Sequence, residues 1–128
     1  MEPEGNRPAD DLDALFDAAI DRTLAALPAE FADRLGSVAI VLEDEPTMDQ
    51  LASVGARGLF GLYQGVPRTR WGVDNVPFAS KITLFRGPLT RANPGVTRLA
   101  RAIEDTLLHE IAHHFGIDDE RLRELSRH

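Results

Sequence analysis

HEIAHHFGIDDE, residues 109–120, holds the densest chemistry of the chain. It contains H-E-x-x-H, a spacing with a mechanical meaning on a helix. Residues four apart lie one turn along and about 40° around the axis, so the imidazoles of His109 and His113 converge where one metal ion can be gripped. Glu110 is offset by roughly 100° and is poorly placed as a third ligand there. It can instead reach a water bound to that metal and act as general base. The helix that carries these residues should span about 96–115. Leu99, Ile103, Leu107 and Ile111 form a stripe for the core, while Ala102, Thr106, His109 and His113 line the neighbouring stripe. The small residues ahead of the two histidines leave open space on the metal side. His114 falls within the apolar stripe and is expected as a packed, hydrogen-bonded core histidine and not as a ligand.

The pattern continues past the second histidine as H-E-x-x-H-x-x-G-x-x-D, with Gly116 and Asp119 at intervals of three. Glycine accepts positive φ and ends helices, so Gly116 can turn the chain back toward the metal. Asp119 then arrives as third ligand, with Asp118 and Glu120 as alternatives one residue to either side. A carboxylate beside two imidazoles suits Zn²⁺, and three protein ligands leave a fourth position for water. The chain has no cysteine. That removes thiolate zinc sites and a cysteine nucleophile. It also lacks a Gly-x-Ser-x-Gly elbow, a phosphate-cradling glycine loop and a dinucleotide fingerprint.

A chain of 128 residues suits one domain with a real core. The net charge of −7 argues against nucleic acid or an anionic membrane as partner. No apolar run approaches membrane-spanning length and the N-terminus lacks an apolar signal core, so a cytoplasmic location is expected. Residues 1–9 read as a flexible lead-in and residues 10–128 as the domain. Apolar residues at intervals of three and four predict a helix from Asp10 or Asp11 to about Leu27. Pro28 should then start a short helix through Leu35, closed by Gly36. Residues 37–43 read as a buried strand, and Thr47 as the cap of a brief helix to about Val54. Residues 59–64 and 81–85 read as two more strands, the second with Ile82 and Leu84 on one face and Lys81, Thr83 and Phe85 on the other. The only lysine, Lys81, and the following Gly87-Pro88 suit a sheet edge for residues 81–86. Between these strands, residues 65–79 form a long connection. Its Arg68, Arg70 and Trp71 are expected in a solvated loop with one tucked aromatic. Residues 118–127 should close the chain as a helix capped by Asp118.

The extended motif from His109 to Asp119 resembles that of a family of very small, single-domain bacterial zincin-like metallopeptidases. Gly61-Leu62-Tyr63-Gln64-Gly65, residues 81–86 and the turn at Glu45-Pro46 resemble it too. In the larger metzincin clan a histidine usually stands at the third ligand position and a methionine turn follows. Here Asp119 takes that position and no methionine follows. The resemblance implies an α+β fold: a minimal zincin-like domain with a small mixed β-sheet packed against the motif helix and an N-terminal helix. It implies a zinc metallopeptidase, with Zn²⁺ on His109, His113 and Asp119, Glu110 as catalytic base, and a peptide or protein substrate bound in extended form along the strand at residues 81–86. Two alternatives stand beside it: a zinc-stabilised binding or regulatory module with little turnover, and a hydrolase of a non-peptide amide. For a donor to the developing oxyanion the candidates are Tyr63 and Arg86, a packed tyrosine and a surface arginine being their plainer roles. No oligomeric state is implied.

Overall fold

Proline at the first helical position loses no hydrogen bond and brings a helical φ. Helix α1 (Pro8–Ala25) starts on such a residue, one residue before the expected end of the lead-in. The computed structural model describes residues 8–56, 58–65 and 80–126, so most of the lead-in and the loop with Arg68, Arg70 and Trp71 lie outside the described residues. Phe16, Ala19 and Thr23 recur at helical spacing and are buried, flanked by Leu12, Leu15, Ile20 and Leu24. Helix α2 (Ala29–Arg34) follows Pro28 and runs into a 3₁₀ turn, Leu35–Ser37. Gly36 therefore lies inside that turn and does not close a helix at Leu35.

Among the described residues three strands follow: β1 (Ala39–Glu43), β2 (Gly61–Gln64) and β3 (Lys81–Phe85), in the order β1-β3-β2. β1 runs parallel to β3 and β2 antiparallel to it, so the sheet is mixed. Helix α3 (Met48–Val54) lies between β1 and β2 in sequence, and Thr47 starts it with a capping box: its hydroxyl accepts from the Gln50 N–H while Gln50 accepts from the Thr47 N–H. Two strand expectations are corrected. Residues 81–86 do not form an edge, because β3 is the central strand, paired on both sides, with Ile82, Thr83, Leu84 and Phe85 all fully buried. Lys81 occupies the first strand position, where its stem can leave the sheet, and Gly87-Pro88 belongs to the first turn of helix α4 (Arg86–Ala92), which the sequence reading did not anticipate. β1, in turn, is not buried on both faces. Among the described residues it pairs only with β3, with Ala39 exposed and its other residues half-buried.

Strand register puts Ile40 and Leu42, Ile82 and Leu84, and Gly61 and Tyr63 on one face, since residues paired across the sheet point the same way. That face meets helix α5 (Val96–Phe115), which touches β2, β3, α1, α4 and the last helix, α6 (Asp119–Ser126). Leu99, Ile103, Leu107 and Ile111 are buried, as their spacing predicted. α5 is thus the hub of the α+β architecture expected from sequence. Around it, Arg22 of α1 pairs with Glu104 of α5, and Phe31 of α2 meets Phe115 edge to face at 5.0 Å between centroids. Arg86 ties three segments together by bonding Asp13 and Asp44. Burial alone would lower its pKa, but the bonds and charges of both carboxylates outweigh that and raise it. Among the described residues, no helix is long and apolar enough to cross a membrane.

Candidate metal centre

The last turns of α5 hold the motif, and the way the helix ends decides where the following acids go. Gly116 takes left-handed φ 72° and ψ 28°. Its N–H donates to the His113 carbonyl at 3.2 Å and the Ile117 N–H to the Ala112 carbonyl at 3.0 Å, the two bonds of a Schellman ending. The chain then starts α6 at once. Asp118 accepts from the Arg121 N–H at 2.7 Å and is the N-cap, as expected. Asp119 is the first residue of α6, and its side chain lies outside the described residues. Fully buried Leu122 anchors α6, and Arg123 reaches back to Asp105 of α5 at 3.5 Å.

His109 and His113 project from one face of α5 with side chains 58% and 64% exposed, while the Glu110 side chain is only 9% exposed. This follows from the helical offset, which turns Glu110 inward when its neighbours face out. The carboxylate nonetheless stays beside both rings: Oε2 is 3.9 Å from His109 Nε2 and Oε1 is 3.9 Å from His113 Nδ1. These separations are longer than hydrogen bonds. His109 and Glu110 line a cavity of about 340 Å³ together with Phe60, Gly61, Thr106 and Arg123. Gly61 is required by the closeness of β2 to α5. A Cβ there would stand 2.7 Å from Thr106 Cγ2 and 3.2 Å from the Thr83 carbonyl oxygen. The β2 backbone at Gly61 thus packs directly against the Thr106 side chain of α5, one turn before His109.

His114 turns the other way and is 1% exposed, in agreement with its expected core role. Its Nδ1 is joined to the Tyr63 hydroxyl by a hydrogen bond of 2.8 Å, and that hydroxyl also bonds Ser80 Oγ at 3.2 Å. Tyr63 is therefore a packed tyrosine, and Arg86 is engaged with Asp13 and Asp44. The Tyr63–His114 bond escaped the sequence reading because its partners are 51 residues apart. A signal existed: a histidine on an apolar stripe needs a buried polar partner, and the chain has one tyrosine.

Among the described side chains, no group of three or more histidines and acids is gathered as a complete metal cage. What is gathered is two exposed imidazoles one turn apart, flanking an enclosed carboxylate. That donor set fits one divalent ion of the zinc type. The profile of the zincin-like metallopeptidase family matches residues 35–128, and the chain belongs to this family. Membership makes zinc the ion to expect and peptidase chemistry the kind of function to expect. The matched segment leaves out α1 and α2. No curated protein matches the chain.

Proposed function

We propose that this chain is a zinc-dependent peptidase in which His109, His113 and Asp119 hold one Zn²⁺ and Glu110 is the general base. The observation that carries this furthest is the position of Glu110, nearly enclosed yet 3.9 Å from both imidazoles at the wall of a cavity. When bound, Zn²⁺ would lower the pKa of a water toward neutrality and polarise the scissile carbonyl. The chain's own residues do the rest. His109 and His113 offer ring nitrogens from adjacent turns of a helix rooted in the core, so little of their geometry must be set when the ion arrives. Glu110 takes the proton of the attacking water and returns it to the leaving amine. Enclosure strengthens it in that task, since fewer solvent waters compete for its oxygens.

An extended peptide would pair with the outer edge of β2 and not with β3, whose two sides are already occupied. Among the described residues β2 pairs only with β3, and Phe60 and Gly61 line the cavity that His109 and Glu110 share. Main-chain pairing gives affinity with little sequence preference. The test is metal analysis of the full chain combined with proteome-wide mapping of cleaved peptides, wild type against Glu110→Gln. One zinc per chain in both proteins, with cleavage in wild type alone, is the expected result. Zinc in both with identical cleavage maps would instead describe a metal-stabilised binding module.

A further inference from the structure

Among the described residues, the His113 ring meets the Glu110 carboxylate at 3.9 Å and the Tyr63 ring, 5.3 Å away between centroids and tilted by 51°. The first contact is too long to orient an imidazole by hydrogen bonding. The second differs in kind, because Tyr63 is itself held by burial and hydrogen bonds. It is 8% exposed, its hydroxyl is bonded to His114 Nδ1 and Ser80 Oγ, and its ring also packs edge-on against His114 at 5.3 Å. One aromatic plate from the edge strand thus presents a fixed surface to an exposed histidine. What fixes the plate is the histidine next in sequence, which points inward.

We infer that Tyr63 and His114 form a positioning pair: their hydrogen bond holds the tyrosine ring against His113 and so sets the orientation of that imidazole for the metal. The inference rests on His113 being a metal ligand, as proposed above. A side chain as exposed as His113 would otherwise lose rotamer freedom when the ion binds, and that loss would weaken affinity. The pair removes part of it beforehand. Ligating histidines usually gain orientation from a hydrogen bond to their second ring nitrogen. Here ring packing from β2 takes that part, with the hydrogen bond displaced by one residue onto His114. The same bond ties β2 to α5 beside the cavity, so ligand orientation and the placement of the edge strand have one fastening.

The test uses the full chain as wild type, Tyr63→Phe and His114→Gln. The first substitution keeps the ring and removes only the hydroxyl. The second keeps a polar side chain whose amide follows the reach of Nε2 and leaves the Nδ1 position empty. Zn²⁺ affinity is measured by chelator competition, the visible bands of the Co²⁺-loaded protein report ligand geometry, and thermal unfolding of the metal-free protein reports folding. We expect folded variants with zinc affinity about tenfold weaker and altered Co²⁺ bands, the size of effect seen when partners of metal ligands are removed. Variants that lose thermal stability but keep wild-type affinity and wild-type Co²⁺ bands would show a merely structural bond and overturn the inference. If one variant does not fold, the other decides by the same comparison. Wild-type protein that binds no zinc would reject the proposed metal site, and the positioning role with it. Wild type and variants that bind equally well would reject the positioning role alone.

Discussion

Two adjacent aspartates after Gly116 have different work. Asp118 is engaged in capping α6, its oxygen 2.7 Å from the Arg121 N–H, which makes it a poor substitute for Asp119 as third ligand. Asp118→Ala should therefore lower stability by about 1 kcal/mol, as loss of an N-cap does, while zinc content stays at the wild-type level. Asp119→Ala should lose zinc with little change in the stability of the metal-free protein. Metal analysis and thermal unfolding of the two variants check this. Zinc lost from Asp118→Ala and kept in Asp119→Ala would reverse the ligand assignment. A similar division separates the neighbouring histidines. His113 faces solvent and His114 is enclosed, and one residue of helical rotation accounts for the difference.

At the level of elements, the helices were the legible part of this sequence. Apolar spacing and Gly116 located α5, whose last turns carry His109 and His113 outward and Glu110 inward. Strand order was not legible, because a strand's place in a sheet is fixed by partners far along the chain. Lys81 and Pro88 suggest an edge locally, yet pairing with both β1 and β2 makes β3 central. The same Gly87-Pro88 concealed α4, since proline is tolerated in the first turn of a helix. For substrate the consequence is specific. In hydrogen exchange on Glu110→Gln with a bound peptide, the amides of β2 should gain protection and those of β3 should not change. Protection appearing only in β3 would reject pairing at β2. A second element-scale prediction concerns the junction of the turn after β1 with α4. Arg91 makes two hydrogen bonds to the Glu45 carboxylate, which lies over Gly87, so a Cβ there would displace the Glu45 side chain. The bond to Arg91 holds the Glu45 pKa below its ordinary value, with burial opposing it and the Arg91 charge adding to it. A lowered folded-state pKa stabilises the fold above the unfolded-state pKa, and that contribution disappears as pH falls through the folded-state value. Both partners are largely exposed, so the contribution is small. Glu45→Gln should flatten the acid limb of stability against pH, measured as urea midpoints. Equal slopes for variant and wild type would remove Glu45 from the acid response.

For the whole molecule, the core and the candidate site use different faces of one helix, so damage to either should be separable. Leu107, fully buried two positions before His109, should cost about 2–5 kcal/mol on change to Ala through lost contacts and a residual cavity. Zinc binding to whatever fraction remains folded should be unchanged. Binding to the folded state raises its apparent stability by mass action, so the wild-type melting temperature should climb with free zinc, and that of His113→Ala should not. The break between α5 and α6 at Gly116 has a further consequence, in time and not in energy. On the proposed ligand set, two ligands belong to a helix rooted in the core, while the third begins a short helix fastened by Leu122 and by the exposed Arg123–Asp105 pair. Such a helix can open locally without global unfolding. The residence time of the ion would then be governed by how often α6 lifts. In a stopped-flow experiment with excess chelator, Asp105→Ala should release zinc faster than wild type while the two proteins unfold at the same rate.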